Sequence, residues 1–242
     1  MNVKTLLFSL MLITVIACTG NAYTELQLAS ARGKTEMVNA IIEKGADVNE
    51  KNKHGKTAVM LAAGNGSVDT TKLLLDRDAS IDAQDIDGIT ALMMASAEGK
   101  TDVVKLLVER GANINVKNNY DATAITNAAF FNHADALAEL LKSKKRASKD
   151  TVAHALLITA GLGNNKIIKM LLDYGVDVNT KGKKDRTPLM VAVEFNHPET
   201  VKLLLSNKGD PNAKNSDGES ILMIAEDKGN SDVIGMLKQA GG

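Results

Sequence analysis

The chain has no tryptophan, one cysteine, and only three tyrosines and four phenylalanines in 242 residues. A core built on large aromatic groups is therefore excluded. Leu, Val, Ile, Met and Ala must fill it instead, in many small layers. A lone cysteine excludes an internal disulfide, so packing alone must hold the fold. Neither sign of charge prevails, because 29 Lys and Arg balance 29 Asp and Glu. That removes any global reason to expect nucleic acid or an anionic membrane surface as partner. The four histidines include no two at a short helical spacing, which argues against a metal site. Asp85-Ile86-Asp87-Gly88 begins like a calcium loop, but the first and twelfth ligand positions hold Ala83 and Met94. There is no Gly-rich phosphate loop and no Gly-x-Ser-x-Gly. Neither catalysis nor a cofactor is expected.

What is present starts with the first 22 residues. Lys4 is the only charge before an apolar run, Leu6 to Ala17. This is the pattern of a signal peptide over 1–17, too short for a comfortable membrane span. A short linker over 18–24 follows, and the folded domain occupies 25–242. Two cleavage readings compete. Val15-Ile16-Ala17-Cys18 resembles the lipobox of bacterial lipoproteins, which implies lipidation at Cys18 and an anchor in the bacterial envelope. Gly20-Asn21-Ala22 suits ordinary signal peptidase, which would release a soluble periplasmic or secreted protein. The bland alternative is that Cys18 is one more apolar residue of the signal.

The rest of the chain repeats itself. Thr57, Thr90 and Thr123 are 33 residues apart, as are Gly33, Gly66 and Gly99. Ala29, Ala62, Ala95 and Ala128 keep the same step. The stretch from Asp85 to Lys117 shows the unit most clearly. Asp85 and Gly88 form a turn and Thr90 opens a first helix. Gly99 breaks the chain, then Val103, Val104, Leu106 and Leu107 stripe a second helix, which Gly111 ends. One such unit cannot bury both of its faces, so stacked copies are required. A 33-residue turn–helix–helix unit resembles the ankyrin repeat. The resemblance implies an all-α solenoid of about seven units with a concave binding face. The units lie near 25–51, 52–84, 85–117, 118–148, 149–181, 182–214 and 215–242.

The units are unequal. Repeat one has no turn before it and is expected to be a cap, with Glu25 and Gln27 facing water. In repeat four, Asp121, Asn132 and Lys144 stand where glycine is usual. Repeat five is two residues short, His154 takes the place of a helix-opening threonine, and a distorted turn is expected over 144–150. Repeats four and five should therefore be the weak middle of the array. The family's usual histidine, fourth in its Thr-Pro-Leu-His opening, is replaced by Met60, Met93, Thr126, Met190 and Met223. Polar bridges between layers should there give way to apolar packing. His133 and His197 follow the inter-helix glycine position, where the pattern itself favours histidine, so a structural role is expected.

The resemblance also implies where a partner binds: the turn tips and the ends of the first helices. Mapped by period, three of the four phenylalanines fall there. The expected site is Tyr120, Phe130, Phe131, Leu162 and Phe195, with Lys183, Lys184 and Arg186 as a basic rim. The competing expectation is that Phe130 and Phe131 turn inward and fill space left by the short repeat. The implied function is that of a monomeric, non-catalytic module. It would bind another protein carrying an apolar anchor and an acidic rim, and would touch the membrane only through its lipid. An alternative is a regulator of one enzyme in the same compartment, acting as inhibitor, immunity factor or stabiliser.

Overall fold

The computed structural model describes residues 23–241. The signal peptide and Cys18 lie outside them. The described residues form fourteen α-helices in pairs. The first helices of the pairs are α1 (Glu25–Ala31), α3 (Ala58–Asn65), α5 (Ala91–Ala97), α7 (Ala124–Phe130), α9 (Lys149–Leu162), α11 (Pro188–Glu194) and α13 (Ile221–Lys228). The second helices are α2 (Thr35–Glu43), α4 (Val68–Asp76), α6 (Thr101–Glu109), α8 (Ala134–Leu141), α10 (Asn165–Asp173), α12 (Pro198–Ser206) and α14 (Ser231–Gln239). First helices stack on first helices and second on second, so the core is one continuous ribbon between two rows.

Local chemistry sets each pair. The hydroxyls of Thr90, Thr123, Thr187 and Ser220 accept from the backbone N–H three residues on, which caps the first helix. Alanines follow, and Ala62, Ala95, Ala128 and Ala192 are wholly buried. Their small size lets the two rows approach. On the second helices Leu74, Leu107, Leu140, Leu171, Leu204 and Leu237 take one equivalent place, and none is accessible to solvent.

The turns are five-residue fingers closed by a backbone bond from the first N–H to the fifth carbonyl. Asn52 to Lys56, Asp85 to Ile89, Asn118 to Ala122, Gly182 to Arg186 and Asn215 to Glu219 are closed in this way, at 2.9–3.1 Å. Neighbouring fingers are joined by one rung each. Ile86 N donates to His54 O, Asn119 N to Asp87 O, and Ser216 N to Lys184 O. The fingers come so close that a Cβ on Gly55 would lie 2.8 Å from Ile86 N.

Four expectations are corrected. Repeat five has no distorted finger over 144–150. Instead, α9 starts at the Ser148 cap, six residues before the N-cap place that His154 holds by register, and runs through where the finger would stand. Lys144 does not adopt the left-handed conformation of the glycine it replaces, whereas Asp78, Asp121, Asn132 and Lys208 do, at φ 60–69°. Gln27 does not face water. It is 1% exposed, and its Nε2 donates to Glu50 O and Lys56 O. One period on stands Met60, so in repeat one an amide makes the bridge between layers that methionine cannot. Met60, Met93 and Met190 are buried as apolar fillers, but Met223, on the outer side of the last described repeat, is 57% exposed.

Candidate protein-binding face

The last residue before the left-handed turn of each first helix defines a row: Arg32, Asn65, Glu98, Phe131, Leu162, Phe195 and Lys228. It is polar at both ends and apolar across repeats four to six. Leu162 is 41% and Phe195 57% exposed, whereas Phe131 is half-buried. Phe195 leans on repeat five beside Gly161, where a Cβ would touch the ring at 3.5 Å and crowd Val191 Cγ1 at 3.0 Å. Phe130 and Phe131 pack edge to face, centroids 5.0 Å apart and planes at 83°. The pair therefore neither enters the core nor stands free. Each ring shields the other and leaves part of itself to solvent.

Tyr120 is at the tip of the repeat-four finger, 57% exposed. It stands apart from the row, on the finger side. The three rim cations are not equivalent. Lys184 Nζ meets Asp217 of the next finger at 2.8 Å, and that carboxylate holds the ammonium above the ordinary lysine range. Arg186 pairs with Glu194 at the end of α11, tying the finger to its own helix. Lys183 is exposed and has no carboxylate partner among the described residues.

Sequence reasoning missed His154. Solvent reaches its ring from the open side, but protein surrounds it elsewhere. That burial is the main cause that pulls its pKa below the ordinary histidine range. Lys183 of the next finger and Lys117 of the preceding one push the same way, and Asp121 opposes them. The signal was legible, since His154 follows Thr123 by one shortened repeat. His133 and His197 have the structural role expected. Nε2 of His133 donates to Ala97 O at 3.0 Å, and Nε2 of His197 to Gly161 O at 2.9 Å, each bridging to the preceding repeat.

A cavity of about 310 Å³ lies elsewhere, between the inter-helix turns, lined by Gly99, Asn132, His133, Asp135 and Lys166 among others. It does not reach the row. Among the described residues no group of three or more His, Cys, Asp or Glu is placed to hold a metal, and no helix is long and apolar enough to cross a membrane.

Paired helices, projecting fingers and a one-sided apolar row define a helical-repeat scaffold. The family model for ankyrin repeats in three copies matches residues 3–85, 26–118, 80–153 and 156–241, and the chain belongs to the ankyrin-repeat family. The fold is similar to that of the human ASB11 ankyrin repeat domain, with a TM-score of 0.78 and 24% identity over 91% of this chain and 99% of that one. No curated protein matches in sequence. Ankyrin repeats are protein–protein interaction modules, and this chain is one of them.

Proposed function

We propose that this chain is a non-catalytic adaptor, exported and anchored by lipid at Cys18 in a bacterial envelope. It holds one partner protein against the concave side of repeats four to six. The observation that supports the reading is the row of Phe131, Leu162 and Phe195. Elsewhere in the same register the chain carries Arg, Asn, Glu or Lys, so three consecutive large apolar groups depart from its own pattern. Exposed apolar groups cost solubility unless they are used, and aromatic anchors dominate interface energetics. The lipid anchor rests on the lipobox-like Val15–Cys18 and the apolar run before it.

Affinity capture from envelope extracts tests the binding half. The intact protein retains a stoichiometric partner, and a Leu162→Ala, Phe195→Ala variant loses it while melting as the parent does. Retention of the same proteins by both baits overturns the assignment. Assaying the captured partner with and without this chain tells an adaptor from an inhibitor or stabiliser. Palmitate labelling tests the anchor: Cys18→Ala abolishes it, and a mature N-terminus at Tyr23 overturns it.

A further inference from the structure

The ladder of fingers is interrupted at repeat five. Tyr120 occupies the register of His54, Asp87 and Lys184, whose carbonyls all accept a rung from the next finger. Lys183 occupies the register of Ile86, Asn119 and Ser216, whose N–H groups all donate one. Between them stands α9, which supplies a hydrogen-bond partner to neither group. Among the described residues, Tyr120 O accepts no hydrogen bond and Lys183 N donates none. The two fingers thus flank a saddle floored by α9, with an open acceptor on one wall and an open donor on the other.

Three further features mark the saddle. Asp121 occupies the glycine position of its finger at φ 60°, which is sterically possible because no following finger crowds it as Ile86 crowds Gly55. The opposite wall is strained: Lys184 and Asp185 are consecutive left-handed residues at φ 59° and 54°, neither of them glycine. Strained backbone of that kind gathers at sites of function. Finally, His154 stands on the floor between Lys183 and the Lys117–Asp121 pair, where positive charge is the less compensated sign.

We propose that an extended segment of the partner lies along the solenoid axis across this saddle. One end donates an N–H to Tyr120 O, the other accepts from Lys183 N–H, and an acidic side chain at its middle lies between His154 and Lys183. The inference rests on the reading that this side of the chain binds protein. The length is consistent. Two repeat steps of about 10 Å, the spacing of packed helices, need roughly six residues of extended chain at about 3.3 Å each. Adding a strand to unpaired backbone groups is an established way for proteins to read peptides.

The test uses random linear octapeptides displayed on phage, selected on the immobilised protein, with the best sequence then made as a blocked synthetic peptide. Selected peptides carry Asp or Glu near the centre. Lys183→Glu and His154→Gln each weaken the peptide at least tenfold, whereas Lys228→Glu, in the row at repeat seven, changes affinity less than twofold. Both Lys183 and His154 are exposed, and unchanged melting confirms that the variants fold. On binding, exchange of the Lys183 amide proton slows at least tenfold. Peptides without a central acid, an unprotected Lys183 amide, or selection of nothing at all each overturn the saddle. Peptides weakened by Phe195→Ala but not by Lys183→Glu overturn it too, yet leave the apolar row as the binding face. A dimer in sedimentation that Lys183→Glu abolishes would assign the saddle to a second copy and overturn the partner segment.

Discussion

Asp85 and Asn118 do the same work in adjacent fingers. Asp85 Oδ1 accepts from Asp87 N at 3.0 Å and Ile89 N at 2.8 Å, and Asn118 Oδ1 accepts from Tyr120 N and Ala122 N, both at 2.9 Å. Asn52 and Asn215 repeat the pattern. Of these, only Asp85 does it with a carboxylate, which is 7% exposed and has Oδ2 buried without a partner. Burial pushes its pKa up, against the two N–H donors and Lys56.

Asp85→Asn is therefore expected to raise stability at pH 7 by removing a buried charge, a gain limited because the amide nitrogen would be left unpartnered, as Asn52 Nδ2 is. The sign with pH follows from linkage. The folded carboxyl binds its proton more tightly than the unfolded one, so the parent gains relative stability as pH falls. The advantage of the variant is full above the folded pKa and vanishes below the ordinary carboxylate value of about 3.9. Urea midpoints of both proteins at pH 7 and pH 4 check this.

Two glycines of repeat three separate strain from crowding. A Cβ on Gly111, at φ 87°, would meet nothing within 4 Å, whereas a Cβ on Gly99, at φ 64°, would lie 2.5 Å from His133 Nδ1. Gly111→Ala should cost only the left-handed backbone, about 1 kcal/mol. Gly99→Ala should cost at least about 1 kcal/mol more, because the imidazole must leave Ala97 O. Equal losses in denaturant unfolding would contradict the bridging role of His133.

The aromatic groups should divide by burial. Phe131→Ala removes half of an edge-to-face pair together with partly buried area, a loss of about 1–2 kcal/mol. Phe195→Ala, at a mostly exposed ring, should stay within about 0.5 kcal/mol of the parent. Thermal melts of the two variants side by side decide it. A large loss at Phe195 would make it part of the fold rather than of a docking surface.

His154 gives the fold an acid edge. Its folded pKa is depressed, so the unfolded chain takes the proton first, near the ordinary value of about 6.5. Stability is level above that value and falls as pH drops through the interval below it. The parent should lose more stability than His154→Gln between pH 7.5 and pH 5. Parallel pH profiles of the urea midpoint would rule this out.

The 33-residue step made most of this legible. It placed every helix pair except α9, and it put Phe131, Leu162 and Phe195 in one register. It also held information that residue character obscured. Gln27 looks like a surface residue, yet it stands one period before Met60, and that register is buried at Met60, Met93, Thr126 and Met190. Repeat five resisted for another reason. A two-residue deficit shows that something is missing, but whether the chain kinks or extends a helix is decided by Ser148, whose hydroxyl accepts from Thr151 N. The pairing of Lys184 with Asp217 and of Arg186 with Glu194 depends on rotamers that no spacing encodes.

Just before the fingers, asparagines stitch four of the repeats to the next, and between repeats two and three Asp82 Oδ1 accepts from Asn113 N instead. Asn49 Nδ2 donates to Asp78 O, Asn115 Nδ2 to Arg146 O, Asn179 Nδ2 to Lys208 O and Asn212 Nδ2 to Gly241 O. The series lapses between repeats four and five. There Tyr174 substitutes: its hydroxyl accepts from Ala147 N at 3.3 Å and its ring lies 5.7 Å from the Arg146 guanidinium. The finger rungs lapse at the same repeat. Two ladders of polar rungs thus flank a repeat that is held chiefly by the packing of α9 against α7 and α11. Any change in curvature at that repeat would alter the spacing of Phe131, Leu162 and Phe195, which sit across it.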